Sequence, residues 1–426
     1  MRYSVIDISS TSISMIVAEA RGKEADIVFK DRANLTLLHY LDGRDLSARG
    51  IEKVVAAVAA MKEKCEKLGT DVLLLISTAS LRAIGNFEQV GAAVLGGTGV
   101  PINPVAGKRE AYCDLVANRA YASLERAAIL DIGGASIEVC DINEKGGSMM
   151  ASLPFGILNL HEKFVERIQP EEEEAKKIRK YLTRKADKAG LPEEGVFDTV
   201  ILVGAAALAL YGVYEEYFGA QKGEREMSAK KLKKLTGYLL GGHDRSKIIL
   251  DAAPDKLYSV GIAAVVARNF VKRFGASRIL VSDRGVKEGY LLLALAGRES
   301  GAYYDFKAGK AIFPAHEEKE LPAAGKAPAP EGEAAPEGAA SAPVRRRRGR
   351  APAAKEEPAP VRRGRRAAGE SKEEKKSTAP ARRGRRPAAE GAEKPAPKRR
   401  GRPPKAGAAK AEEKVAESVK DNAQKE

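Results

Sequence analysis

Asp131-Ile132-Gly133-Gly134-Ala135-Ser136-Ile137-Glu138 is the stretch that decides the fold, because Asp7-Ile8-Ser9-Ser10-Thr11-Ser12 near the start of the chain is a weaker copy of it. Each closes a short apolar run, residues 3–8 and 127–132, that reads as a buried strand. Each is followed by a second strand pattern, 13–19 and 136–141, and then a third, 26–38 and 149–153. Helix and strand patterns alternate after both sets. Three strands followed by alternating helix and strand, run twice, predict two α/β lobes with a cleft between them. The aspartates ending the first strand of each set, Asp7 and Asp131, are then expected to face each other across that cleft.

The chemistry of the two turns follows from their residue types. Paired glycines, Gly133 and Gly134, let the backbone approach an anion closely, and the flanking acids Asp131 and Glu138 can hold Mg²⁺ directly or through water. The bland alternative is a glycine turn with two solvated acids, and it is the duplication that tips the balance toward a site. Ser9, Ser10, Thr11 and Ser12 offer backbone N–H and hydroxyl donors to phosphate oxygens. By itself, a Ser/Thr-rich hairpin is more often only a turn.

Working outward, Ser47 opens a helix with apolar residues at Ile51, Val54, Val55, Val58 and Met61, a 3.6-residue period. Residues 72–77 read as a central parallel strand. Helices over 86–95 and 108–122 and a strand at 102–105 complete the first half. The second half adds helices at 158–167, 171–189, 228–240, 257–274 and 286–296, with strands at 199–203 and 278–282. The expected divisions are a first lobe at 1–123, a second at 124–305 and a tail at 306–426.

From Leu321 onward the chain is Ala, Pro, Gly, Lys, Arg and Glu with almost no large apolar residue. Such a segment cannot bury enough surface to offset its ordering entropy, which predicts a disordered tail. Residues 321–426 hold 28 Lys and Arg against 15 Asp and Glu, an excess of +13 out of the whole chain's +15, so basicity belongs to the tail. The three cysteines, Cys65, Cys113 and Cys140, lack metal-ligand spacing, and an odd count argues against a disulfide framework. No leader pattern and no run of about 18 uncharged apolar residues is present, so a cytoplasmic location away from membranes is expected.

These motifs together resemble the exopolyphosphatase and guanosine pentaphosphate phosphohydrolase (Ppx/GppA) family, of the actin-like (ASKHA, duplicated ribonuclease H-like) superfold. The likeness runs from Ser4 to about Ala296. It takes in Asp7 to Ser12, Ser77-Thr78-Ala79-Ser80-Leu81-Arg82 with Asn86, and Gly107-Lys108-Arg109-Glu110-Ala111. It continues through Asp131 to Glu138, Leu153-Pro154-Phe155-Gly156, and Ser282-Asp283-Arg284-Gly285-Val286-Lys287-Glu288-Gly289. The resemblance implies Glu110 as the base for an attacking water and Asp131 and Glu138 as acids that bind Mg²⁺ or orient water. It further implies Asp7 as the acid of the first phosphate loop, sharing the metal, and Arg82 as a neutraliser of phosphate charge. Implied phosphate contacts are Ser9, Ser10, Thr11, Ser12, Gly133, Gly134, Ala135 and Ser136. Such a set suits phosphoryl transfer, which mostly requires positioning, charge neutralisation and an oriented nucleophile.

The chain departs from the family pattern in the turns. Ser9 stands where Gly is usual, Thr11 for Asn, Ala135 for Gly, and Gly204-Ala205-Ala206-Ala207-Leu208 for a Gly/Thr-rich loop; no Arg stands near Pro254. Where such a position needs φ > 0, a Cβ costs about 1–2 kcal/mol. Two readings therefore stand: an Mg²⁺-dependent hydrolase of terminal phosphoanhydrides in inorganic polyphosphate or pppGpp, or a catalytically weak sensor that binds polyphosphate or guanosine tetra/pentaphosphate. A sugar or acetate kinase is a third, against which Glu110 and the 282–289 block speak. Monomer and homodimer stay equally open.

Four basic clusters recur in the tail, around Arg348 and Arg350, Arg363 and Arg365, Arg383 and Arg385, and Arg400-Gly401-Arg402. The last resembles an AT-hook, in which Gly lets extended backbone sink into the minor groove with arginines along its floor. DNA or another polyanion is the expected partner; a merely solubilising polyelectrolyte is the bland reading.

Overall fold

The computed structural model describes residues 1–143, 149–193, 195–219 and 225–314, and within them two mixed sheets carry the chain. The first half runs β1 (Arg2–Ile8), β2 (Ser12–Arg21), β3 (Glu24–Asn34), a small hairpin β4 (Leu41–Asp42) and β5 (Asp45–Leu46), and α1 (Ala48–Lys67). It continues through β6 (Val72–Ser77), α2 (Ala79–Arg82), α3 (Phe87–Thr98), β7 (Ile102–Pro104) and α4 (Gly107–Ala117). The second half runs β8 (Ala127–Ile132), β9 (Ile137–Asp141), β10 (Met150–Leu153), α5 (Ile157–Phe164), α6 (Glu172–Lys188) and β11 (Thr199–Val203). Then come α7 (Ala205–Phe218), β12 (Glu226–Ser228), α8 (Ala229–Leu239), α9 (Ser246–Ala252), α10 (Val260–Phe274) and β13 (Arg278–Val281). The chain ends its described part with α11 (Val286–Leu295), β14 (Tyr303–Asp305) and β15 (Lys310–Ile312).

The strand orders are β3-β2-β1-β6-β7 and β10-β9-β8-β11-β13, the same path in both sheets. Every residue of β6 and of β11 is buried, as expected of parallel strands covered on both faces. The duplication extends to register. Asp7 pairs with Ser14 across β1–β2, and Asp131 pairs with Glu138 across β8–β9. The turns close alike, with Ser9 N–H donating to Ser12 O at 2.9 Å and Gly133 N–H to Ser136 O at 3.0 Å. Glu138 thus has Ser14 as its counterpart, so the second acid exists on one side only.

Helix α4 lies between the two sheets. Cys113 and Val116 pack into the apolar cluster of the first sheet, with Val5, Leu74 and Leu291. Ala111 and Leu115 pack into a cluster of the second, with Ile129, Ile201 and Leu280. Because α4 is covered on several faces, its polar residues Glu110 and Asp114 are carried into the interior. Helix α11 crosses α4 in contact at Gly289, where a Cβ would come 1.9 Å from Cys113 O.

The structure differs from the sequence reading in several places, including the short elements α2, β4, β5, β12 and α9, which the sequence reading did not place. Helix α7 is unforeseen: its sequence, AAALALYGVYEEYF, is apolar nearly all round and gives no one-sided stripe, as befits a buried helix. The expected third strand at 26–38 ends at Asn34, and Leu37–Tyr40 form a 3₁₀ turn. The segment 303–312, assigned above to the end of the second lobe and the start of the tail, instead joins the first sheet, with Tyr304 opposite Leu73 in β6. Two three-residue strands are too short to show period 2 in sequence. No helix among the described residues is long and apolar enough to cross a membrane.

Candidate active site

The two turns meet at a cavity of about 530 Å³, lined by Asp7, Ser9 to Ser12, Glu110, Asp131 to Ser136 and Glu138. Acids that stand at widely separated places in the sequence are therefore neighbours in space. A Cβ on Gly134 would sit 3.1 Å from Ser10 Cβ, so the turns oppose each other closely.

The acids strain against their own charge. Burial pushes Asp7 up to about 6, against the pull of Lys287 and a hydrogen bond from Thr78. Its Oδ1 is buried with no hydrogen-bond partner among the described residues. Asp131 is likewise raised to about 6, first by burial and then by Asp7, with Lys287 opposing. Glu138 is held well above the usual carboxylate range by burial, Glu110 and Asp131. Ser152 Oγ donates to Glu138 Oε1 at 2.8 Å. Glu110, in the first turn of α4, is raised to about 7 by burial although Arg82 holds it down.

Arg82 does not line the cavity; its Nη1 donates to Glu110 Oε1 and to Val105 O. Its guanidinium thus faces Glu110 rather than the cavity.

The altered turn residues carry no backbone strain. Among the described non-glycine residues only Thr36 has positive φ, so Ser9, Thr11 and Ala135 occupy conformations open to any residue. The expected cost of their Cβ atoms is absent, because these turns do not require left-handed backbone. Glycine is kept where it is required. Gly204 has φ +96°, and a Cβ there would lie 2.3 Å from Asp131 Oδ1. The 204–208 segment, which replaces the family's Gly/Thr-rich loop, is the N-terminus of α7, with Gly204, Ala205 and Ala206 on the cavity, so helix N–H groups line it there. Gly156 lets α5 close on the second turn, where Ile157 and Leu158 N–H donate to Gly133 and Gly134 O.

Several residues of the site were not foreseen. Lys30, Arg32, Lys256, Arg284 and Lys287 also border the cavity and form its cationic part. Lys30 Nζ donates to Asp283 O at 2.8 Å and pairs with Glu288 Oε1 at 3.1 Å. Arg32 Nη1 lies 3.4 Å from Asp255 Oδ2, while its Nε and Nη2 are buried with no acceptor among the described residues. Lys256 pairs with Asp255 at 2.7 Å and stands near Pro254, where the family's arginine is missing. The i, i+2 spacing of Lys30 and Arg32 was a legible signal, since it puts both on one face of a strand. Asp114 is one helical turn beyond Glu110 and entirely buried, with neither carboxylate oxygen partnered among the described residues. Burial and the charges of Asp131 and Glu138 hold its carboxyl well above the usual range behind the site.

A hard divalent cation suits this oxygen donor set, which includes an unpartnered buried carboxylate oxygen at Asp7. Among the described residues no three acid, His or Cys groups form a preformed metal cage. Mg²⁺ does not need one, because it keeps waters and is usually bound by one or two carboxylates plus substrate phosphates. The expected nucleic-acid contacts, Arg348, Arg350, Arg363, Arg365, Arg383, Arg385, Arg400, Gly401 and Arg402, all lie outside the described residues.

Residues 15–297 match the model of the Ppx/GppA phosphatase family. An uncharacterised protein of Streptomyces coelicolor is 27% identical over 310 residues, 68% of this chain and 90% of that protein. Exopolyphosphatase 1 of Mycobacterium tuberculosis is 24% identical over 319 residues, 71% of this chain and 90% of that protein. Among solved structures, the Ppx/GppA family member of Aquifex aeolicus superposes with a TM-score of 0.59 at 19% identity, covering 70% of this chain and 99% of that one. An exopolyphosphatase from Cytophaga hutchinsonii superposes with a TM-score of 0.61 at 15% identity, over 70% of this chain and 99% of its own. The fold is thus the two-lobed actin-like α/β fold, and with the family model spanning the second acidic turn and α4, the chain belongs to the Ppx/GppA phosphatase family.

Proposed function

We propose that this protein removes the terminal phosphoryl group from inorganic polyphosphate or from a guanosine pentaphosphate, with Glu110 as the base. The observation that carries this is one cavity in which the acids Asp7, Glu110, Asp131 and Glu138 meet the cations Lys30, Arg32, Lys256, Arg284 and Lys287, whose charge Asp31, Asp283 and Glu288 only partly offset. A hydrolase of phosphate chains needs both: acids to activate water and hold a metal, cations to hold the chain.

Asp7, Asp131 and Glu138 would hold Mg²⁺, which when bound neutralises charge on the phosphate oxygens. The chain's own residues do the rest. The turn N–H groups at 10–11 and 134–136, which do not close the turns, and the α7 N-terminus bind phosphate oxygens. Lys287 adds positive charge beside Asp7 and Asp131. Glu110 takes a proton from the attacking water, whose oxygen bonds to the terminal phosphorus as the bridging oxygen departs with the shortened chain. A value near 7 suits that task, because the group is half ionised at neutral pH.

The test is phosphate release from polyphosphate, pppGpp and ATP side by side with Mg²⁺. Release from one of the first two, lost about 10²-fold or more in Glu110→Gln with folding intact, is the expected result. Equal release by wild type and Glu110→Gln would remove the proposal.

A second reading, a ligand-binding sensor with weak turnover, is favoured by one observation: Arg82 is paired with the carboxylate that must accept the proton. Binding of these ligands without turnover above the Glu110→Gln background would select it. In either case we assign the basic tail to DNA or another polyanion.

A further inference from the structure

A second recess, also of about 530 Å³, opens between α6 and α10 and shares no lining residue with the acidic cavity. Its walls carry Arg179 and Lys180 from α6 and Arg268, Lys272 and Arg273 from α10, against one carboxylate, Glu193. Thr183 and Asn269 complete the lining. On α10, Arg268 and Lys272 are four apart and share a face, and with Arg273 they border one groove with Arg179 and Lys180 of the neighbouring α6.

The donors are fixed but incompletely used. Arg179 Nη2 donates to Glu172 Oε1 at 2.6 Å, while its Nη1 is buried with no acceptor among the described residues. Arg273 is clamped by Asp187 Oδ1 at 2.5 Å and by the carbonyls of Leu191 at 2.6 Å and Pro192 at 3.0 Å. Arg268, Lys180 and Lys272 have no ion pair among the described residues. Arg268 is pulled below its usual range by burial and by Arg179, so the two guanidiniums stand near each other. Glu172 offsets part of this repulsion, since it pairs with Arg179 and also acts on Arg268, but the remaining positive excess with a buried orphan donor is an arrangement that a multivalent oxyanion relieves further. Forked guanidiniums match phosphate oxygens in pairs. The lining holds no aromatic residue on which a base would stack, which favours phosphates over nucleic-acid bases.

We propose that the α6–α10 recess is a second oligophosphate site, separate from the acidic cavity and taking a run of consecutive phosphate groups. The shared chemistry admits two sources, a free oligophosphate or a distant stretch of a long polyphosphate whose end sits in the cavity.

Lysine footprinting on the full chain tests it, because acylation read by mass spectrometry reports each lysine separately and leaves the tail present in every arm. Tripolyphosphate is expected to protect Lys180 and Lys272, whereas sulfate at equal ionic strength does not. Arg268→Glu is expected to raise the concentration needed by about tenfold or more, through loss of a charge-assisted bond and added repulsion. Protection of Lys30 and Lys287 in the cavity should be unchanged, so failure here is distinguishable from failure of the proposed activity. Lys272→Glu, at an exposed position, repeats the test should Arg268→Glu not fold, with Lys180 as its reporter. Equal protection by sulfate, meaning an adventitious ion only, would overturn the proposal, as would protection confined to the cavity or given by duplex DNA and not by tripolyphosphate. The source is read from kinetics. A KM raised by Arg268→Glu for long polyphosphate alone assigns the recess to the substrate chain, and an unchanged KM assigns it to a separate ligand; each accompanies the footprint that supports the site.

Discussion

Asp131→Asn should make the protein more stable at pH 8 while damaging its site. Asp131 titrates at about 6 in the folded chain against 3.8 for a free side chain, raised by burial and by Asp7. That difference of roughly two units corresponds to about 3 kcal/mol. The folded value lies above the unfolded one, so folding takes up a proton between them. Wild-type stability is therefore fullest below about pH 4, falls as pH rises through about 6, and stays lowered above it. Asparagine cannot ionise and escapes that loss. For a folded unit of some 300 residues, 3 kcal/mol is worth about 5 °C in Tm. The assay is thermal unfolding of wild type and variant with a metal chelator present, at pH 8 and at pH 4. The variant is expected to melt about 5 °C higher at pH 8, and the two to converge within about 1 °C at pH 4. Adding Mg²⁺ at pH 8 should narrow the gap by stabilising wild type, since a ligand of the folded state adds its binding free energy. A variant less stable at pH 8, or a gap independent of pH, would refute the claim that the charge on Asp131 is what the fold opposes.

Activity should rise with pH through about 7 as Glu110 loses its proton, and in Arg82→Met the acid limb should move to higher pH, because Arg82 holds Glu110 down; a pH profile of kcat/KM checks both. Gly204→Ala should cost about 1–3 kcal/mol, because its φ +96°, ψ 165° backbone is open essentially to glycine alone. It should cost far more in phosphate release, because the new methyl would lie 2.3 Å from Asp131 Oδ1. Melting and turnover measured together separate the two effects. Deleting residues 321–426 should abolish DNA binding and leave turnover of short substrates nearly unchanged, and DNA affinity of the full chain should fall steeply with salt, as titrations at several salt concentrations will read.

Much of the architecture was legible because it is written locally. The strands ending in Asp7 and Asp131 show as apolar runs closed by small-residue turns, and the period of Ile51, Val54 and Val58 marks α1. Each of these signals needs only neighbours in the chain. Helix α7 escaped because a helix buried on most sides shows no stripe, and β14 and β15 because three residues are too few to show a period. The acids Asp7, Glu110, Asp131 and Glu138 were found through repetition and resemblance to known motifs.

Sequence alone thus determined the two turns, their acids and the duplicated order of strands, since backbone propensity and apolar periodicity act over a few residues. Only the tertiary structure decided what surrounds those acids. It drew Lys30, Arg32, Lys256 and Lys287 from three separate segments to one cavity, turned Arg82 onto Glu110, and buried Asp114 behind the site. The physical reason is that electrostatic and desolvation energies depend on distance and burial in space, and residues hundreds of positions apart carry no sequence mark of their future proximity.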